Sequence, residues 1–231
     1  MTTTRQPAVN RAVKMNKALH PDLSWIRLLR LVFGGLAVAA VIYNVWRSAT
    51  GESDHTVLQT LSHFTNVANF GIGLTMLIGA FSKRATQPAW WDDLRGMFAF
   101  MIVMTGIIYA VLVAEPGELA RWDLSWTNLA THRFVPLAGL AGWLFITMTR
   151  SGRWWRPLVW LLFPIAWLAY TWIHGAIGGW YPYGFLDPSR EGGWGRVIGM
   201  MGPVVGAFLA VAVVMHLLGN LRCWMAHRKR R

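Results

Sequence analysis

Three polar stations interrupt otherwise apolar stretches of this chain, and each carries a residue type that can do chemistry. The first is HFTNVANF, in which Thr65 and Asn69 lie four apart, on one helix face, with Asn66 beside Thr65. The second is THRFVPLAGLAGWLF, which holds His132. The third is WIHGAIGGWYPYGFLDP, where His174 precedes a run rich in glycine and aromatics. A threonine hydroxyl becomes a nucleophile when a base takes its proton, and histidine is the common base near neutral pH. Thr65 and His132 form such a pair if their segments pack together. The same residues have a plainer reading. Thr65 can cap a helix, Asn69 can hydrogen-bond between helices, and a lone histidine at a membrane boundary is commonly an interfacial hydrogen-bonder. Spacing leaves both readings open.

Several other chemistries have no pattern here. The chain lacks HExxH, CxxC and any histidine pair on one helix face, so no metal site is expected. It also lacks the GxSxG elbow and the P-loop. No cofactor is expected. The single cysteine, Cys223, excludes an intramolecular disulfide. It follows the last apolar run and reads as an unmodified thiol, with reversible acylation as the lesser alternative.

The elements that must position these residues are membrane helices. Charged residues make up 14% of the chain, against about 25% in soluble domains. About 20 apolar residues cross a bilayer as a helix. Six runs qualify or nearly qualify, at 26–46, 64–82, 96–114, 134–149, 157–177 and 197–218. The fourth is short, and the residues around His132 extend it. The expected fold is therefore an all-α bundle of six transmembrane helices. A net charge of +12 invites a nucleic-acid reading, but the basic residues lie between and beyond the apolar runs, which excludes a nucleic-acid face.

Those basic residues set the orientation. One set of loops holds Arg5, Arg11, Lys14, Lys17, Arg27, Arg30, Lys83, Arg84, Arg95, Arg150, Arg153, Arg156, Arg222, Arg228, Lys229, Arg230 and Arg231. The other set holds only Arg47, Arg121, Arg133, Arg190 and Arg196. The positive-inside rule makes the first set cytoplasmic, with both termini on that side. Thr65, His132 and His174 then share the non-cytoplasmic end. Residues 1–25 read as a mobile cytoplasmic segment rather than a cleaved signal, 26–218 as one transmembrane domain, and 219–231 as a basic cytoplasmic tail that meets anionic lipid.

Three strings together resemble the androgen-induced-protein family of membrane threonine hydrolases, in its bacterial six-span branch. HFTNVANF resembles that family's Phe-Thr with an Asn one turn later. HRFVPLAGLAGWLF places His132, Pro136 and Trp143 where the branch has His, Pro and Trp. GWYPYGFLDP resembles its Gly-Trp-Tyr-Pro-Tyr-Pro-Phe-Leu-Asp string. The resemblance covers roughly residues 25–220. Departures are Gly142 in place of Asp, Gly184 in place of Pro, and His174 in place of Arg.

The resemblance implies a membrane-embedded hydrolase acting on lipid esters, such as those joining fatty acids to hydroxy fatty acids. By motif, Thr65 is the nucleophile and His132 the base. An oxyanion needs preorganised donors, and Asn66, Asn69 and the free N–H groups beginning that helix are the candidates. Arg133, Arg190 or Arg196 would hold the carboxylate of an amphipathic substrate, with His174 near them. Tyr181, Tyr183 and Asp187 would shape the outer wall. The expected partners are membrane lipids and a lipid ester or fatty-acid-like ligand, in a multi-pass protein of the cell membrane. Two rival readings are a haem protein ligated by His132 and His174, and a non-catalytic lipid-binding or transport scaffold.

Overall fold

A computed structural model describes residues 21–146 and 151–228, and among them it is helical without strands. Helix α1 spans Ser24–Ala49. A single turn, α2, spans Val57–Ser62 and leads into α3 at Phe64–Phe81. Helix α4 spans Trp91–Ile108 and ends in a π-turn at Tyr109–Val113. The next segment is composite. It starts at Trp126–Leu129, passes through a π-turn at Ala130–Phe134, and continues as Val135–Phe145. We call it α5. Helices α6 and α7 span Arg156–Gly178 and Gly193–Arg228.

Helices α1, α3, α4 with its π-turn, α6 and α7 are each long and apolar enough to cross a membrane. Their outer surfaces carry exposed Leu28, Val32, Val111, Leu162, Ile165 and Ile177. Contiguous exposed apolar surface of this kind is rare on soluble monomers. Five such helices are compatible with a multi-pass membrane protein. The fourth expected span, at 134–149, differs most. Helix α5 begins eight residues earlier, at Trp126, is broken by its π-turn, and residues 147–150 lie outside the described part. Helix α7 runs on to Arg228, so most of the expected basic tail is helical, and residues 229–231 lie outside the described part. Residues 1–20 of the expected mobile segment do so too. Cys223 is 1% exposed within α7, which disfavours its acylation.

Ionic contacts collect at one end of the bundle. Asp92 and Asp93 open α4, where negative charge complements the helix dipole. Asp92 pairs with Arg84 at 2.5 Å, and Asp93 with Arg156 at 2.6 Å. Asp22, before α1, accepts from the Arg84 N–H at 3.0 Å. Arg95 reaches the carbonyl of Ile146 at the end of α5, at 3.0 Å. These links join the starts of α1, α4 and α6 to the ends of α3 and α5. Thr65, His132 and Tyr183 lie at the other end. The helices therefore alternate in direction, and the most buried ion pairs lie at the end away from Thr65.

The core is aromatic and small-residue packing. Trp160 is fully buried, stacks on Phe100 and meets Trp143 edge-on with centroids 5.3 Å apart. Trp143 and Trp160 donate their indole N–H groups to the carbonyls of Met215 and Asp93, so neither is left unsatisfied. Helices α1 and α3 approach so closely that a Cβ on Gly73 would sit 2.8 Å from Val38 and 3.0 Å from the Gly34 carbonyl. Small residues at such crossings are how helices pack where solvent gives no hydrophobic drive. Gly73→Val forces those backbones apart. We expect it to lower stability by about 1–3 kcal/mol, the usual range for overpacking, read as a lower unfolding temperature of monodisperse protein in detergent.

Candidate functional site

The site is built around two defects in the helix ladder. In the π-turn of α5 the Val135 N–H bonds to the carbonyl of Ala130 rather than to that of Thr131. Residue 136 is proline and has no N–H to offer. The Thr131 carbonyl is thus deprived of its donors within the helix. Asn69, fully buried on α3, supplies the replacement: its Nδ2 donates to the Thr131 carbonyl at 3.2 Å and to the Thr65 carbonyl at 2.9 Å. One amide therefore ties the backbone of the threonine to the backbone beside the histidine. Pro136 itself packs against Gly106 of α4, where an added Cβ would come within 3.1 Å.

His132 lies inside that π-turn. Its ring stacks on Tyr109, in the π-turn of α4, with centroids 3.8 Å apart and planes 14° from parallel. Such bulges recur at functional sites because they re-aim a side chain. The Tyr109 hydroxyl donates to Glu118 and receives the amide of Asn128 at 2.8 Å. The Glu118 carboxyl is held below the usual range, chiefly by that Tyr109 hydrogen bond. His132 Nδ1 and Asn69 Oδ1 are both buried without a hydrogen-bond partner among the described residues. No direct hydrogen bond joins Thr65 to His132 among the described residues; their connection runs through Asn69.

Thr65 has a different immediate partner. The first N–H groups of a helix lack intrahelical acceptors. His63, at the N-cap of α3, offers no side-chain cap. Instead the Tyr183 phenol oxygen accepts the Thr65 N–H at 3.3 Å and lies 3.1 Å from Thr65 Oγ. Burial raises the Tyr183 pKa, so the phenol remains protonated and able to donate. Tyr183 is thus a cap and a partner of the hydroxyl, closer to Thr65 than an outer-wall role requires.

A groove of about 170 Å³ opens between α6 and α7 beside these two hydroxyls. Phe64, Leu161, Trp167, Met201 and Phe208 are among its walls. Its polar groups are Thr65, Tyr183 and Thr105, and the last is bonded to its own helix at Met101. The groove therefore ends at Thr65, while His132 lies outside its lining.

The remaining candidates fall into two groups. His174 packs on Tyr170 and Trp180, in aromatic surroundings separate from those of His132. Tyr181 lies against Gly175. Asn66 is turned to other work: it donates to the Thr60 carbonyl at 2.7 Å and accepts from Asn44. Arg133 donates to the carbonyls of Arg121 and Glu118, and Arg196 to those of Gly184 and Asp187. Asp187 accepts from Ser189 and pairs with Arg190 at 3.5 Å. These groups hold the loops at this end in shape. Among the described residues no group of three or more His, Cys, Asp and Glu is placed to hold a metal ion.

His63 is the residue that spacing alone does not bring into the cluster. It precedes α3, and its ring meets Tyr183 edge-on with centroids 5.7 Å apart. Its Nδ1 donates to the Gln59 carbonyl at 2.9 Å, which fixes the tautomer with a lone pair on Nε2. Burial lowers its pKa below the usual 6.5, so it is neutral near pH 7.

Among the described residues the fold and site define an all-helical bundle of membrane-spanning type, with the Thr65 hydroxyl, the Tyr183 phenol and His63 together at one end and His132 on the neighbouring helix. Comparison with known family models, curated proteins and solved structures finds no match.

Replacing Asn69 by alanine strands the Thr131 carbonyl in the interior. We expect Asn69→Ala to cost about 1–3 kcal/mol, the penalty for one buried unsatisfied polar group, while Asn69→Asp, which keeps the shape without the N–H donors, does no better. Thermal unfolding of the two variants checks this.

Proposed function

We propose that this protein is a membrane-embedded lipid ester hydrolase with Thr65 as nucleophile. The observation that carries the reading is the position of the Thr65 hydroxyl: at the head of an apolar groove open to the side of the bundle, against a protonated phenol, at the first turn of α3. The groove takes the first methylenes of an acyl chain, with the ester carbonyl at its polar end. The three strings that resemble the membrane threonine hydrolases support the same assignment.

In this mechanism Thr65 Oγ attacks the ester carbonyl as a histidine takes its proton. The carbonyl oxygen gains negative charge, which the Tyr183 O–H and the helix N-terminus stabilise. The acyl C–O bond breaks, the histidine protonates the departing alcohol, and an acyl-threonine remains. Water then hydrolyses it, releasing the fatty acid and restoring the hydroxyl. His132 is the base by resemblance, acting through one water. A second reading of the base rests on a specific contact: His63 adjoins Tyr183, with its Nε2 lone pair available.

Thr65→Ala should abolish esterase activity and covalent labelling by a fluorophosphonate by about 10³-fold or more, with Thr65→Ser retaining part of both. Alanine at His132 and at His63 decides between the bases, since only the true base falls to the Thr65→Ala level. With His63 as base, its lowered pKa places the acid limb of kcat/KM below pH 6.5, because the neutral form is the active one. Turnover that persists in Thr65→Ala would return the scaffold reading.

The same proposal includes six crossings, with α5 as the fourth, in the cell membrane. The ionic end then faces the cytoplasm and Thr65 the opposite side. Single-cysteine reporters at Thr86 and Gly152, with Cys223 replaced by serine, should resist membrane-impermeant thiol reagents in intact cells and react after permeabilisation. A reporter at Asp123 should react from outside.

A further inference from the structure

A cavity lies at the end away from Thr65, and the mechanism above makes no use of it. It measures about 210 Å³ and sits among α1, α3, α4 and α5. Trp25, Leu29, Phe33, Met76 and Phe145 form its apolar walls. Two arginines, Arg30 and Arg95, are among its lining residues.

These cations are unusually placed. Arg95 is 9% exposed, and its Nε is buried without a hydrogen-bond partner among the described residues. Its Nη atoms reach the carbonyls of Gly142 and Ile146 and share Asp92 with Arg84. Arg30 donates to the carbonyls of Gly79, at 2.8 Å, and Pro21, at 3.2 Å, and meets no carboxylate within ion-pair distance among the described residues. Arg27, Arg30, Arg84 and Arg95 are electrostatic neighbours, and the two carboxylates paired into this group are Asp22 and Asp92. Among the described residues this group thus carries two positive charges in excess beside an apolar cavity. Unbalanced charge in such a setting is costly, and a cation there by default marks a functional site.

We propose that this cavity binds the anionic head and first methylenes of a single acyl chain, with Arg30 and Arg95 holding the head. The walls suit hydrocarbon and the cations suit a carboxylate or phosphate. Pockets for drug-sized ligands measure about 300–1,000 Å³, so this smaller space takes the head and proximal chain while the remainder lies along the bundle surface. The shared chemistry is an acyl amphiphile with a negative head, either a free fatty acid or an acidic phospholipid. The proposal does not rest on hydrolysis at Thr65.

Gly142 supplies a clean test. It lines the cavity, and a Cβ added to it meets nothing within 4 Å, so a side chain placed there starts in open space. Purified full-length protein in detergent would be photolysed with diazirine analogues of palmitate, of phosphatidylglycerol and of hexadecanol, and labelled peptides mapped by mass spectrometry. An anionic probe should label peptides bearing Leu29, Met76 or Phe145. Labelling should fall at least tenfold in Gly142→Leu and in Arg30→Gln, and stay unchanged in Thr65→Ala, which separates this site from the groove. Labelling by palmitate alone identifies a fatty-acid site, and labelling by phosphatidylglycerol alone a phospholipid site. Equal labelling by hexadecanol, or anionic labelling that survives Gly142→Leu in protein that remains monodisperse, overturns the proposal.

Discussion

The arrangement at the Thr65 end depends on a single amide. A helix in an apolar setting must satisfy its backbone internally, and α5 fails to do so at one carbonyl because Pro136 has no N–H and Val135 bonds elsewhere. Asn69 makes good the deficit from the neighbouring helix, and its second N–H grips the Thr65 carbonyl. One interhelical hydrogen bond, from Asn69 to the Thr131 carbonyl, thus ties the height of α3 to that of α5. The positions of Thr65 and His132 follow from that clamp.

A second pairing of defects builds on the first. The π-turns of α4 and α5 face one another, and each contributes one ring to the Tyr109–His132 stack. Each turn also exposes its neighbouring loop to side-chain bonding: Glu118 and Asn128 meet on the Tyr109 hydroxyl. The loop after α4 is in this way anchored to the start of α5, and Arg133 extends the anchorage to Arg121. At the opposite end the same architecture is held by charge, through Asp22, Asp92, Asp93 and their arginines. Among the described residues the buried ion pairs are thus confined to one end, while the pairs at the other, Arg121–Asp123 and Arg190–Asp187, are more exposed.

Much of the fold was legible because lipid-facing helices announce themselves by length and apolarity, and the five long helices begin or end within a few residues of the apolar runs, α7 excepted. Helix α7 overruns its apolar stretch since Leu221, Arg222 and Met225 are good helix formers, and hydropathy registers the membrane rather than the helix. The early start of α5 was hidden because Thr127, Asn128 and Thr131 look like loop residues; Thr131 hides its hydroxyl on the Thr127 carbonyl. At the site, Asn66 and Asn69 are equivalent as residue types, and only their helical phase decides that one joins α3 to α5 while the other serves Thr60 and Asn44. The Thr65–Tyr183 contact spans 118 positions, a separation that no local pattern encodes. His63 was likewise visible only as a loop histidine, although its place four residues after Gln59 is the spacing that lets its ring bond that carbonyl.

The capping of α3 by Tyr183 links two processes that are usually separate. A ligand approaching the Thr65 hydroxyl must compete for the phenol, and a phenol drawn away from Thr65 leaves an N–H of the first turn unsatisfied. Opening the groove head and fraying the helix are then motions along one coordinate. By thermodynamic linkage, anything that stabilises the first turn of α3 resists admission of a ligand, and a ligand whose carbonyl takes over the N–H restores the cap that its arrival removed. For the proposed substrate, admission to the groove and capping of α3 therefore compete for one phenol.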